Sequence, residues 1–251
     1  MEKSISETGH YKNVANFSLL IKYITTLPRY NPARSALQPS ALNAQHLACD
    51  ATMKGLSQAE VAETAAITAR YVPFLALPAQ STRIVSEFES LVPGSNVLGL
   101  ARTLQAKMNG TRIGKDTAAA VPDAGKTEDA AAGEGKSISV SQRSFDAMLS
   151  HYEKLIQVLE QEPGYTSNTN ELTIPGLRAH LAHLKALNDT AATATLNAVR
   201  MRARRQEDLY TPVVGLVPIA KSVKMAVLAV YKASSPEYKK AAAIPFRTLT
   251  K

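Results

Sequence analysis

The chain has 251 residues, with 29 Lys and Arg against 21 Asp and Glu, so its formal net charge is +8. This length allows one large domain or two small ones with a sizeable core. The single cysteine, Cys49, excludes a disulfide framework and a zinc site built from cysteines. Glycine and proline number 12 and 13, which excludes a collagen-like chain.

Apolar residues recur at helical spacing, and no segment alternates Val, Ile and Thr as a strand does. A first helix is predicted over residues 10–27, and its counterpart opens near Ser141. Pro28 and Pro163 end these helices, because a residue before proline avoids the helical region. The apolar face of the first helix is formed by Val14, Phe17, Leu20, Ile21 and Ile24.

The same order of helices is predicted in each half of the chain. A long second helix begins at a proline, which fits the first helical turn, and is broken or kinked by a later proline. A third helix and a short last segment follow. In the first half the second helix begins near Pro39 and is broken or kinked at Pro73, the third helix ends near Val92, and the last segment is 97–109. The corresponding positions in the second half are Pro175, Pro212, Tyr231 and 236–243.

An internal repeat supports this plan. Phe17 and Pro28 match Tyr152 and Pro163 at a constant separation of 135 residues. Later matches, such as Pro73 with Pro212, have a separation of 139. Ordered matches at a fixed separation are typical of tandem duplication. The sequence therefore predicts an all-α, elongated helical bundle of two duplicated halves, with coiled-coil packing of long, Pro-kinked helices.

The duplication divides the chain into three predicted parts. Residues 1–109 form the first helical repeat and residues 138–251 the second. Residues 110–137 are rich in alanine, glycine and charged residues and lack apolar periodicity, which is typical of a flexible linker.

The strongest charge feature is a run of four arginines, Arg200, Arg202, Arg204 and Arg205. Guanidinium groups at this density are candidates for phosphate or other anion contacts. Glu207 and Asp208 follow directly, and no aromatic residue is interleaved for base stacking. A solvated helix end with local ion pairs is the simpler interpretation.

No enzyme motif is found. His180 and His183 are three residues apart on a predicted helix, yet no acidic residue completes a ligand cluster. Cys49 lies among alanines and Met53, which favours a small core residue over a nucleophile. We therefore predict no catalytic residue, no metal site, no cofactor and no enzyme activity.

Residues 213–231 form the most apolar segment, but Lys221, Lys224 and Pro218 interrupt it. Lysines near the middle of a bilayer are costly, which argues against a spanning helix. A buried core helix is the simpler interpretation, and membrane activity like that of helical pore-forming proteins is an alternative. With no secretory signal in the opening residues, a cytoplasmic location is expected.

Four short segments carry a resemblance to a known family. They are residues 12–17 (KNVANF), which follow MEKSISETGH, with 141–146 (SQRSFD), 209–212 (LYTP) and 234–239 (SSPEYK). The chain resembles a family of helical proteins of similar length from Bacteroidota-type bacteria. The resemblance implies a duplicated helical protein and no activity or site residues.

These observations favour a non-enzymatic helical scaffold or interaction protein that forms a homo-oligomer or binds a protein partner. Nucleic-acid binding through the basic helix of the second half is the first alternative. Membrane activity is the second. Apolar exposed residues are expected to mediate self-association, with 213–231 as the first segment to examine.

Overall fold

Seven α-helices and two short 3-10 helices form the described part of the chain, residues 7–110 and 144–248 of the computed structural model, and no strand occurs there. The all-α prediction is confirmed. The helices are α1 Glu7–Thr25, α2 Pro39–Leu91, α3 Leu98–Asn109, α4 Phe145–Glu160, α5 Ile174–Tyr210, α6 Leu216–Tyr231 and α7 Pro236–Ala243. The 3-10 helices are Ser35–Leu37 and Asn170–Leu172.

Several helix ends have local causes that the sequence shows. The hydroxyl oxygen of Ser144 accepts a hydrogen bond from the backbone nitrogen of Ala147 and caps α4. Ser235 caps α7 in the same way, with Pro236 in the first turn. Gly110 ends α3 in the left-handed conformation, with φ of 72°.

The expectation of a separate third helix after Pro73 is wrong. Helix α2 continues through Pro73 and Pro78 for 53 residues, whereas α5 ends at Tyr210, just before Pro212, and α6 begins at Leu216. A Cβ atom at Gly215 would lie 2.7 Å from the backbone nitrogen of Thr211. The residue 139 positions earlier is Ala76, in α2. A break of the same geometry has no room for the Cβ atom of an alanine, so α2 does not break there in this way.

The chain contains two compact units. Unit 1 combines Met1–Thr64 with Thr193–Lys251, and unit 2 is Ala65–Ala192. Each unit therefore takes residues from both predicted repeats, because the first helix of each half buries its apolar face against late helices of the other half. The repeat boundaries 1–109 and 138–251 stay a sequence prediction. The linker predicted at 110–137 lies outside the described residues apart from Gly110.

The core of unit 1 forms where α1 meets α6 and α7. Its largest fully buried residues include Phe17, Leu20, Ile24 and Leu42. The core of unit 2 forms where α3 and α4 meet the last part of α2 and the first part of α5, around Tyr152, Phe74 and Phe88.

One hydrogen bond recurs in the two units. The hydroxyl of Tyr30 donates to the carbonyl oxygen of Leu37 at 2.9 Å, and that of Tyr165 donates to Leu172 at 2.7 Å. Both members of the second pair are 135 residues after those of the first. Each bond ties the loop after the first helix to a 3-10 helix, and burial raises the pKa of both tyrosines to about 12.

Candidate interaction surfaces

The four predicted anion-binding arginines lie on α5 in unit 1, and Arg202 is held by two carboxylates. Its Nε donates to Glu60 at 3.1 Å, and a terminal nitrogen donates to Glu63 at 2.9 Å. Hydrogen bonding to Glu63 is the main cause that raises the pKa of Arg202, against the opposing effect of burial. This guanidinium therefore has acidic partners within the chain.

The other three arginines have different environments. Arg204 lies 3.5 Å from Asp208, one helical turn later, and the same carboxylate accepts a hydrogen bond from Thr52 at 2.7 Å. Arg205 is only 8% exposed. Arg200 is exposed and donates to Asn197 at 2.9 Å. The run is thus divided among ion pairs, a buried position and solvent, instead of forming one basic face.

The histidine pair on α5 is also divided. Nδ1 of His180 lies 3.1 Å from the hydroxyl of Tyr152, to which Gln80 donates at 3.3 Å, while His183 is exposed. Burial is the main cause that lowers the pKa of His180. Within residues 7–110 and 144–248, no group of three His, Cys, Asp or Glu side chains is arranged to hold a metal ion.

Cys49 is 2% exposed on α2, and its Sγ lies 3.8 Å from the carbonyl oxygen of Asp208. Burial, with a smaller effect from Asp208, raises the pKa of the thiol to about 12. A thiol with this pKa is almost entirely protonated at neutral pH and is a poor nucleophile.

Unit 2 exposes an apolar surface on α2 that sequence reasoning missed. Ile67, Tyr71, Val72 and Leu75 are exposed by 42%, 56%, 65% and 62%. We call these four residues the α2 face. Spacings of four residues place Ile67, Tyr71 and Leu75 on successive turns of one side of the helix. The exposed alanines around them are Ala65, Ala69, Ala76 and Ala79.

The α2 face is nearly free of charge. Between Thr64 and Thr82 the only charged residue is Arg70. Its guanidinium lies 4.0 Å from the centroid of the Phe145 ring and donates to Asn188 at 2.9 Å. The one cation of this segment is therefore drawn toward α4 and α5 within unit 2.

The opposite side of α2 explains why these apolar residues are not needed in the core. Phe74, Leu77, Ser81, Ile84 and Phe88 alternate by three and four residues and are all almost fully buried. This stripe supplies the contribution of α2 to the unit 2 core, so the α2 face is left without a partner among residues 7–110 and 144–248. A long run without charge was the signal available in the sequence.

The segment 213–231, expected to be the first candidate for association, is mostly buried. Val217, Ile219, Val223 and Val227 lie in the unit 1 core. Only Val213, Val214 and Met225 are strongly exposed among its large apolar residues. Among the helices that the structure describes, none is long and apolar enough to cross a membrane.

Comparisons with protein-family models, with curated proteins and with solved structures found no match. The resemblance to the helical family of Bacteroidota-type bacteria stays a prediction.

Proposed function

We propose that this protein is a non-enzymatic helical interaction protein that self-associates through the α2 face. The observation that carries the proposal is the exposure of four large apolar side chains on neighbouring turns of one helix. Contiguous exposed apolar surface is uncommon in monomeric proteins and marks interaction sites. Tyrosine, with its large amphipathic ring, is among the residues enriched at such interfaces.

A second copy of the chain is the proposed partner, because charge favours this face over the rest of the surface. Two chains of net charge +8 repel each other, and the repulsion is least where the facing surfaces carry no charge. A two-fold axis near Tyr71 would place two α2 helices antiparallel, with the same residues on both sides. Tyr71 would then face Tyr71 of the second copy, and Ile67 would face Leu75.

The internal repeat belongs to the same proposal. We propose that the two halves arose by duplication and that the long helices α2 and α5 use coiled-coil-like packing. The hydrogen bonds of Tyr30 and Tyr165 support this, since the same donor and acceptor recur 135 residues apart. Duplication accounts for two similar cores, but the apolar α2 face has no equivalent around Tyr210, which is half-buried in unit 1.

The proposal is tested by placing like charges on the α2 face. The variant Tyr71→Lys with Leu75→Lys, and the variant Tyr71→Glu with Leu75→Glu, are each expected to associate much more weakly than the wild type in light scattering. Mixing the two variants should restore a dimer, because opposite charges then face each other across the interface. The matched control, Leu19→Lys with Leu47→Lys, changes two other exposed apolar residues and should associate as the wild type does.

A cross-link gives an independent readout. Because Cys49 is buried, Val72→Cys provides a single accessible thiol close to the proposed axis. Mild oxidation should yield a covalent dimer of this variant and not of Leu47→Cys. A wild type that stays monomeric at several hundred micromolar would overturn the proposal, as would charged variants that associate as strongly as the wild type.

A further inference from the structure

The segment that follows α6 is held to unit 1 by hydrogen bonds to its main chain and by its own buried side chains, Ala241 and Ile244. We call residues 233–248 the α7 arm. Asn13 on α1 bonds both the backbone nitrogen and the carbonyl oxygen of Arg247, at 3.0 and 2.8 Å. Asn16 donates to the carbonyl of Pro245 at 2.7 Å, and Tyr23 donates to that of Glu237 at 3.0 Å.

Helix α6 supplies the remaining contacts. Nζ of Lys224 donates to the carbonyls of Ala242 and Ile244 and lies 5.1 Å from the centroid of the Phe246 ring. Burial of this ammonium group lowers its pKa. Ala241 is fully buried in the unit 1 core. Tyrosine, asparagine and lysine side chains of α1 and α6 thus form a groove whose donors bind the main chain of α7 and of the residues that follow it.

The connection between α6 and the arm is strained. Lys232 has φ of 68° and ψ of 160°, a region that residues with a side chain rarely occupy. Its backbone nitrogen still bonds the carbonyl of Leu228 at 2.9 Å. This conformation sets the direction in which the chain leaves α6, so an arm that leaves α6 in another direction does not require it.

From these contacts we propose that the α7 arm is exchanged between two copies of the chain. The arm of one copy would bind the groove formed by Asn13, Asn16, Tyr23 and Lys224 of the other, with every hydrogen bond reproduced. Relief of the strain at Lys232 would lower the free energy of the exchanged form relative to the closed form, because the exchanged form keeps the hydrogen bonds and loses the strained turn. This surface lies in unit 1 and does not depend on the α2 face.

Energy transfer between labelled full-length chains tests the exchange. One population carries a donor at Leu19→Cys on α1, and the other an acceptor at Lys240→Cys on the arm; both positions are exposed. Both also carry Tyr71→Lys and Leu75→Lys, so association through the α2 face does not contribute. The mixture is incubated, and energy transfer is followed together with molar mass.

The hinge residue is varied in this background. Lys232→Gly tolerates the positive φ and should lower the association constant about tenfold, whereas Lys232→Val increases the strain and should raise it about tenfold. Energy transfer in the mixture should therefore increase from the glycine variant to Lys232 to the valine variant, because more dimer is present. If the valine variant does not fold, lower energy transfer for Lys232→Gly than for Lys232 supports the exchange, and equal transfer overturns it.

Equal energy transfer in all three hinge variants, or none in any of them, would overturn the exchange. A dimer that forms without transfer between α1 and the arm would also overturn it. None of these results bears on the α2 face, which is tested by the unlabelled charged variants. Failure of either proposal is therefore recognised separately.

Discussion

Gly215 lies so close to Thr211 that a Cβ atom at position 215 would be 2.7 Å from the Thr211 nitrogen and 2.8 Å from its carbonyl oxygen. Both contacts are with backbone, which cannot turn aside as a side chain does. The Gly215 nitrogen also donates to that carbonyl at 2.8 Å, which closes the break between α5 and α6.

Gly215→Ala is accordingly expected to destabilise the protein by about 2 kcal/mol or more, since the break must shift to admit the methyl group. Thermal unfolding followed by circular dichroism measures the effect. The matched control is Gly99→Ala in α3, where a Cβ meets nothing within 4 Å. There alanine should stabilise by about 0.5–1 kcal/mol because it lowers the entropic cost of forming the helix. Equal melting temperatures for the two variants would contradict this account.

Val213, in the same break, has φ of 71°, an unfavourable conformation for a β-branched residue. Its side chain is 63% exposed, so removing it loses little packing. Val213→Gly should stabilise by about 1 kcal/mol in chemical denaturation, because the relief of strain exceeds the added entropy of the unfolded chain. Val214→Gly is the control and should destabilise, as Val214 is similarly exposed but has no positive φ. The opposite order would show that the turn is not strained at Val213.

Particular residues show how far the sequence determines these features. The ends of α4 and α7 follow from caps and prolines within a few residues, so they are predictable locally. The break after Tyr210 and the continuity of α2 differ because glycine stands at 215 and alanine at 76, a contrast visible only when the two halves are aligned. The pairing of α1 with α6 joins residues about 200 positions apart, and no local pattern specifies it.

The α2 face was missed for a related reason. Leu75 is as apolar as Leu77, and Tyr71 is an aromatic residue like Phe74, so composition alone assigns all four to a core. Which side of α2 is buried depends on where α3 and α4 pack, and these contacts are not encoded in the helix itself. The arginine run shows the converse, because the carboxylates that hold Arg202 come from a helix about 140 residues earlier.

His180 links stability to pH. Its pKa in the folded protein is below the ordinary value of 6.5, mainly through burial. Below pH 6.5 the unfolded chain therefore binds more protons at this residue than the folded one does. The free energy of unfolding should fall as the pH drops from 6.5 toward the lowered pKa, and this contribution should be constant above 6.5.

Replacing His180 by Gln should remove this contribution, so the stability of the variant relative to wild type should improve as the pH is lowered from 7.5 to 5.5. Denaturation at several pH values gives the difference directly. His183→Gln tests the second cause, because charge on His183 also lowers the pKa of His180, and this variant should show a weaker pH dependence than the wild type. A difference between His180→Gln and wild type that does not vary with pH would show that the Tyr152 contact does not depend on a neutral imidazole.

The arginine run gives a last prediction, for the nucleic-acid alternative. Arg200 and Arg204 are the accessible pair, whereas Arg202 is held by Glu60 and Glu63 and Arg205 is buried. Replacing Arg200 and Arg204 by Gln should leave the melting temperature nearly unchanged, because exposed ion pairs such as that of Arg204 contribute little. Replacing Arg202 and Arg205 by Gln should destabilise the protein by about 1–2 kcal/mol. The carboxylates of Glu60 and Glu63 lose their partner, and the packing of the buried Arg205 side chain is lost.

Duplex DNA binding, measured by fluorescence anisotropy at two salt concentrations, separates the interpretations. We expect weak binding by the wild type at physiological salt, because only two guanidinium groups of the run face solvent and phosphate affinity scales with the number of phosphates neutralised. Tight, salt-sensitive binding that is lost in the Arg200 and Arg204 variant, with its fold intact, would favour nucleic-acid binding over self-association. Loss of binding only in the Arg202 and Arg205 variant, without a change in stability, would contradict the assignment of those two residues to structure.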